Sequence, residues 1–443
     1  MTQKELRSQS QNYKNQFKIL QTIPINKLAK ASGFKQRKSQ KIGARELLLS
    51  FFIIAVQGKN TFEQWAQQIG ILTNNSLSRQ GLFNRVNASL VDFLWKVLQH
   101  CFKEQFTHTS AKIKLGGNIA RFKEIMINDS TVICLPHWLN WCYPGNVSGG
   151  KKKSQLKIQI TYGVLTNKVL QVDITPYTKN DQSQAEQILK IADKRSLVIR
   201  DLGYFTLTSL EKMKHQGVPF ISLLRYGVKI FDAKTNDQID LSKVLKKKGF
   251  YDGWVHIGKS NQVPVRLVAI KLSKEQASRR RRYAKRDRDR RLNHDKKYYE
   301  LLGYKIFITS QEREYLTRDE IIKLYQIRWR IESIFKTWKS AFNLQQLIPK
   351  NRSITKERVD ATILMMLIFI LLVQFKTYRY MISFALKRKM EIVSIYKLSQ
   401  YIAGNLHFIL LNNMESIANL IAYHCRYDKR KDRLNYDQKL EFA

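Results

Sequence analysis

The hydrophobic period changes partway along this chain, and that change restricts the possible folds more than any other feature. From Arg45 to about His100 the apolar residues recur at helical spacing, through "ELLLSFFIIAV", "TFEQWAQQIG" and "SRQGLFNRVNASLVDFLWKVL". Further on, "EIMINDSTVICL", "LKIQITYGVL" and "KVLQVDITP" read as strands, the first two separated by the Gly- and Lys-rich loop "PGNVSGGKKKSQ". "DQSQAEQILKIADK" then reads as a helix, and "SLVIRDLGYF" as a short buried strand ending at Asp201. The chain is therefore expected to be α/β, with an all-helical region preceding a sheet.

Three meandering strands, a helix and a fourth strand are the opening order of a ribonuclease-H-like sheet. From about Val218 to Lys297 the short strands "VPFISLLRY", "VKIFDAK", "GWVHIG" and "VPVRLVAIKL" suggest an inserted β-rich subdomain. It ends in the charge run "SRRRRYAKRDRDRRLNHDKK", most simply a solvated basic helix or loop, and well suited to phosphates. "YKIFITS" returns to a strand, and the tail after about Tyr378 is basic and helical. The expected organisation is a helical N-terminal DNA-binding region (1–115), a core in two parts (116–217 and 301–380), the insertion (218–300) and a basic helical C-terminal region (381–443). Within the first region, helices opening at Thr61 and Ser78 on either side of "TNNS" have the length and polarity of a helix-turn-helix offering Arg79, Gln80 and Arg85 to DNA; a plain helical bundle fits as well. The preceding forty residues are basic, poor in apolar periodicity, and expected to order on binding.

The 443 residues carry 78 Lys+Arg against 35 Asp+Glu, a formal charge of +43. Such an excess implies a large polyanionic partner, with nucleic acid ahead of a membrane surface. Against the membrane, "ATILMMLIFILLVQF" from Ala361 to Phe375 is 15 residues long, short of the roughly 17–25 that a spanning helix needs. It reads as a buried core helix. The N-terminal "MTQKELRSQSQNYKNQ" has no apolar signal segment, so an intracellular protein is expected. Four scattered cysteines make no disulfide framework, and Cys134, His137 and Cys142 lack the paired spacing of a zinc site.

Two acids stand out by position, Asp129 within the first strand and Asp201 at the end of the fourth. Taken singly, each could merely cap a turn; neighbouring strands of such a sheet would aim both carboxylates at one point. A third acid lies in "YQIRWRIESIFKTWKS", where Glu332 stands among Arg328, Arg330, Lys336 and Lys339. At about 100° per residue, Tyr325, Arg328, Glu332 and Lys339 share an arc of roughly 60° on one helix. Beside it runs an apolar stripe of Leu324, Ile327, Ile331, Ile334, Phe335 and Trp338. Thr317 and Glu320 form a capping box that starts this helix. On pattern alone, a solvated helix face with an ordinary ion pair of Arg328 and Glu332 is the favoured reading, and something outside the helix must decide.

With these residues in view, the chain resembles the bacterial DDE transposases of the insertion-sequence-four family over most of its length. "DST" at Asp129 is similar to the family's first acidic motif and "DLGYF" at Asp201 to its second. Tyr325, Arg328, Glu332 and Lys339 match every spacing of the third, and the β-rich insertion falls in the long gap before Glu332. The resemblance implies an enzyme that cuts the inverted-repeat ends of its own element and joins them to target DNA. Asp129, Asp201 and Glu332 would be catalytic and would ligate Mg²⁺, with Mn²⁺ as a substitute. Two such ions can stabilise the attacking and leaving oxygens of phosphodiester cleavage together, and three carboxylates are suitable hard ligands. Arg328 and Lys339 would grip phosphates near the cut, Tyr325 would hydrogen-bond or stack, and Lys336 and Arg330 would add to the DNA-binding set. A homodimer pairing two double-stranded ends, a prokaryotic cytoplasmic location at the nucleoid and no membrane partner are expected. Some relatives set an aromatic residue of the insertion against a flipped base; no motif identifies it here, and Trp254 is the candidate. The alternative is a silent or domesticated transposase that occupies DNA ends without cutting them.

Overall fold

The computed structural model describes residues 20, 22–35, 42–58, 60–107, 112–113, 116–260, 262–286, 295–352, 354–428 and 434–441. Most of the first twenty residues, and 287–294 of the basic run, lie outside them. One mixed sheet of ten strands runs through the molecule: β1 (Glu124–Leu135), β2 (Pro144–Ser148), β3 (Lys151–Gly163), β4 (Lys168–Pro176), β5 (Ser196–Arg200), β6 (Phe220–Leu223), β7 (Ile230–Asp232), β8 (Tyr251–Ile257), β9 (Val263–Lys271) and β10 (Tyr304–Thr309). Its order is β2-β3-β1-β5-β6-β10-β9-β8-β7, with β4 on the free side of β3. β1 runs antiparallel to β3 and parallel to β5, and β5 parallel to β6. The alternation of side chains along each strand feeds two cores. Ile125, Ile127, Leu197, Ile199 and Phe307 face a large helical core, whereas Met126, Val198, Phe220 and Ile308 face a smaller one on the other side.

The strands of the insertion do not form a sheet of their own. β5 reads "SLVIR" and β6 "FISL", short apolar runs buried almost throughout, and an open β5 edge would leave backbone polar groups unpaired in the interior. β6 closes that edge, and β10 joins β6 to β9, so the insertion extends the sheet.

The segment Asp181–Lys190 departs from the expected helix and forms two short 3₁₀ turns, Asp181–Gln184 and Gln187–Lys190. The reason is tertiary. The Ala185 carbonyl, which would accept the next helical bond, is taken by the buried Arg200 guanidinium and by Ser209 Oγ, and the Leu189 N–H turns to Glu186 instead.

Around the sheet, Ala44–Gln57, Phe62–Thr73 and Ala88–Thr107 form the expected N-terminal helices. The helix opening at Ser78 is only five residues, Arg79–Phe83, and stops before Asn84. Part of the preceding stretch is ordered against the core: Ile25–Ala31 is helical and buries Ile25 and Ala29. The long apolar helix of Lys356–Arg388 has the length and hydropathy of a membrane span, yet 89% of its most apolar window is buried within the protein. It therefore serves as the core helix expected from its sequence, widening into a π-turn over Ile370–Phe375.

Candidate active site

The register of the sheet brings two of the acids together. β1 and β5 pair in parallel with Asn128 opposite Arg200, so Asp129 and Asp201, each one residue further on, leave the same end of neighbouring strands. The third acid comes from the capped segment. Thr317 accepts from the Glu320 N–H while Glu320 caps the Thr317 N–H, starting the helix Arg318–Ile327. A second helix, Trp329–Ser340, follows after a break at Arg328, where the backbone makes i→i−3 bonds: Arg328 N–H to Tyr325 O at 3.3 Å and Ile331 N–H to Arg328 O at 3.2 Å. The second helix packs across β1. It is also riveted to the long core helix, because the Trp338 indole donates to Gln374 Oε1 at 3.0 Å and Gln374 Nε2 donates to Thr337 Oγ1 at 2.8 Å.

The break aims Arg328 at all three acids. Its guanidinium lies 2.7 Å from Glu332 Oε1, 3.6 Å from Asp129 Oδ2 and 3.8 Å from Asp201 Oδ1. The arginine side chain is 9% exposed, against 21% for Asp129, 36% for Glu332 and 41% for Asp201, so a buried cation meets an acidic rim that opens to solvent. Burial pushes the Asp129 carboxyl up to about 6; the Ser130 N–H and Arg328 oppose that, and the neighbouring Asp201 and Glu332 reinforce it. Burial works against the Arg328 charge, but Asp201, Tyr325, Glu332 and Asp129 outweigh it and hold the guanidinium protonated. Tyr325 is buried, which drives its phenol upward, and packs edge-on to Phe307.

A family model described as "Transposase DDE domain" matches residues 120–372, the stretch that contains all three acids. The chain belongs to the DDE-domain transposases. It is 26% identical to the transposase for insertion sequence element IS231D of Bacillus thuringiensis subsp. finitimus, over 94% of this chain and 91% of the relative. It is also 26% identical to the transposase for IS1151 of Clostridium perfringens, over 78% of this chain and 76% of that one. A piggyBac transposase synaptic complex with hairpin DNA covers 95% of this chain and 86% of its own at a TM-score of 0.45 and 9% identity, a likeness too remote to carry an argument.

The other residues expected in this transposase's DNA-binding set fall into separate places. Lys336 and Lys339 are exposed and line an open groove with Asp129, Ser130, Val132 and Glu332. Arg330 is elsewhere: it is buried on the far side of its helix, donating to the Tyr427 hydroxyl at 3.1 Å, with the rings of Tyr378 and Tyr436 at 4.9 and 4.2 Å. Helical periodicity puts it about 200° from Arg328, which is why it points into the C-terminal helices. Arg79 is exposed on the five-residue turn, while Arg85 folds back to donate to Gly81 O at 2.7 Å and Gln80 donates to Asn84. No contact among the described residues joins them to the acids. Trp254 of the insertion donates its indole N–H to Glu312 at 2.7 Å, and Lys214 stands over its ring at 4.7 Å. Cys134 and Cys142 are free thiols, and no three His, Cys, Asp or Glu among the described residues are gathered closely enough to hold one ion.

That last observation bears on metal binding. In the free protein the three carboxylates surround the Arg328 guanidinium, which occupies the place between them at 2.7–3.8 Å. The donor set itself, three carboxylates and no sulfur or imidazole, fits a hard divalent ion. Sequence reasoning missed one nearby cation, Lys305 of β10. Its ammonium lies 4.9 Å from the Tyr325 ring centroid, and its pKa is lowered by burial and by Arg280 and Arg328. A lysine in a strand "YKIFITS" far from the third motif carries no local signal of that placement.

Proposed function

We propose that this transposase cuts double-stranded DNA at the inverted-repeat ends of its element and joins those ends to a target duplex, with Asp129, Asp201 and Glu332 as ligands of divalent cations, Mg²⁺ or Mn²⁺. The observation that supports this most is the convergence of acids from β1, from the end of β5 and from the Trp329–Ser340 helix on one guanidinium. A mere i,i+4 ion pair would account for Glu332 and leave the other two without a reason to be there. When bound, such cations polarise the phosphate and activate the attacking oxygen. The strand order around β1, with an antiparallel β3 and a parallel β5, supports a ribonuclease-H-like core as the scaffold.

The residues of the chain take up distinct tasks in this reading. Asp129, the most buried of the three acids, carries its charge at the greatest desolvation cost and gains most when a cation arrives. Arg328 neutralises the acids in the free protein and, relieved of them, can turn to a phosphate oxygen by a charge-assisted contact. Lys336 and Lys339 line the groove that leads away from the acids and hold the duplex by its backbone. Arg330 is excluded from that task by its burial. Paired ends call for a dimer, and the +43 charge suits association with the nucleoid.

The test uses a labelled duplex carrying the element's own end. Wild-type protein with Mg²⁺ should cut it, and Glu332→Gln should shift the duplex in a gel and leave it intact. Cleavage by Glu332→Gln near the wild-type rate would overturn the assignment.

A further inference from the structure

Among the residues of the acidic motifs without a task so far are the serine of "DST" and the glycine of "DLGYF". Both meet one side chain that lies between them, Asp181. Ser130 Oγ donates to Asp181 Oδ1 at 3.2 Å. A Cβ on Gly203 would lie 3.3 Å from Asp181 Oδ2 and 3.9 Å from Asp201 Oδ2. Gly203 is not among the glycines with positive φ, so the close approach of these carboxylates, and no special backbone angle, favours glycine there.

Asp181 is itself held. Lys157 of β3, with a side chain 9% exposed, pairs with Asp181 Oδ1 at 3.0 Å. The Asn180 side chain caps the turn that carries Asp181 by accepting from the Ser183 N–H. From Ser130 the connection continues to the first acid, because the Ser130 N–H donates to Asp129 Oδ1 at 2.8 Å. Successive side chains of a strand leave opposite faces, so Asp181 braces β1 from the face opposite Asp129. A fourth carboxylate beside three others would ordinarily add repulsion, but here Lys157 balances its charge. What Asp181 contributes is its shape and its hydrogen-bond acceptors.

We propose that Asp181 is a positioning residue that, through Ser130 and the Cα of Gly203, fixes the strand ends that carry Asp129 and Asp201 and so orients both acids toward a divalent cation. This rests on the reading of Asp129, Asp201 and Glu332 as ligands. Residues that orient metal ligands typically contribute about 10- to 100-fold to metal affinity.

The test is Mn²⁺ binding to the full chain without DNA, followed by electron paramagnetic resonance of the free ion, with thermal unfolding measured on the same samples. Ser130→Ala keeps the Lys157–Asp181 pair and removes the link, along with the Ser130 hydroxyl's contact to the Tyr204 phenol. It should weaken Mn²⁺ binding by about tenfold with an unchanged unfolding temperature. Asp181→Ala alone leaves Lys157 unpaired in a buried wall and could unfold the protein, so it is combined with Lys157→Met. That double variant should fold like the wild type and still bind Mn²⁺ about tenfold more weakly. Wild-type affinity in both Ser130→Ala and the double variant would overturn the proposal, because Asp181 would then serve only to neutralise Lys157. Asp129→Ala is the control: if it too keeps wild-type Mn²⁺ affinity, the ligand assignment falls and this inference with it.

Discussion

Arg328 and Arg330 are two residues apart on the same segment, both buried, and their surroundings differ in kind. Arg328 is balanced by three carboxylates, of which two are more than a third exposed. Arg330 is enclosed by the rings of Tyr378 and Tyr436 and the hydroxyl of Tyr427, and no carboxylate pairs with it among the described residues. An ionic cage can exchange its cation, since carboxylates open to solvent can accept another positive charge in its place. A ring cage cannot, because it offers only a π-face and neutral hydroxyls to a charge already desolvated. One arginine therefore belongs to a surface that can change state, and the other to the joint that fastens the helix to the C-terminal region.

The comparison breaks most visibly at the carboxylates. Asp129→Ala, Asp201→Ala or Glu332→Ala should each lower Mg²⁺-dependent end cleavage by at least about 10³-fold, the rate equivalent of several kcal/mol of transition-state stabilisation. Gel-shift affinity for the end should stay within a few-fold. A next, smaller effect falls on stability. Arg330→Ala should cost about 2–4 kcal/mol in a urea titration, from two desolvated cation–π contacts and the cavity left behind, while cleavage per folded molecule is retained. Arg328→Ala should show the converse, a larger loss of cleavage than of stability. Mg²⁺ should raise its unfolding temperature more than that of the wild type, since its acids lack their own cation; equal shifts in the two would erase the distinction.

pH sharpens the same contrast. The Asp129 carboxyl is raised from 3.8 to about 6 in the folded protein, so below the unfolded value the acid is neutral in both states and its ionisation costs nothing. As pH rises through about 6, the folded state must hold a charge that the unfolded chain holds more easily. In the absence of metal, this group's contribution to stability therefore falls between pH 4 and 7. Divalent-ion affinity should move the other way, dropping up to tenfold per unit below about pH 6, where a proton must leave first. The loss caused by Arg330→Ala should be flat across that range, because burial pushes the phenols of Tyr378 and Tyr436 well above their ordinary value. The smallest expected effect is at the groove. Lys336→Ala or Lys339→Ala should each reduce the slope of log K against log salt by about 0.9, measured by fluorescence anisotropy on duplex DNA. A slope unchanged in both would remove the groove from the path of the DNA.

Much of this was legible in order and spacing. The change of period, the capping box at Thr317 and Glu320, and the placement of Asp129 in a strand and Asp201 at a strand end all depend on hydrogen bonds and side-chain alternation within a few residues. Local sequence is enough to specify those. The segment Asp181–Lys190 reads as a helix for the same reason, and fails to be one because Arg200 and Ser209, far along the chain, claim the Ala185 carbonyl. β6 reads as part of a separate subdomain, and joins β5 because an open buried edge has to be paired. The clearest limit is the pair of arginines. In "YQIRWRIES" helical spacing sets Glu332 beside Arg328 and turns Arg330 to another face, but nothing within the segment says that two further acids meet the first face or that tyrosines meet the second. The sequence by itself determined which residues could share a helix face and which strands could carry an acid at their ends. Only the tertiary structure decided that one guanidinium would stand among three carboxylates and the other among aromatic rings, because the partners of a buried charge are supplied by distant segments that the fold alone brings within a few ångströms.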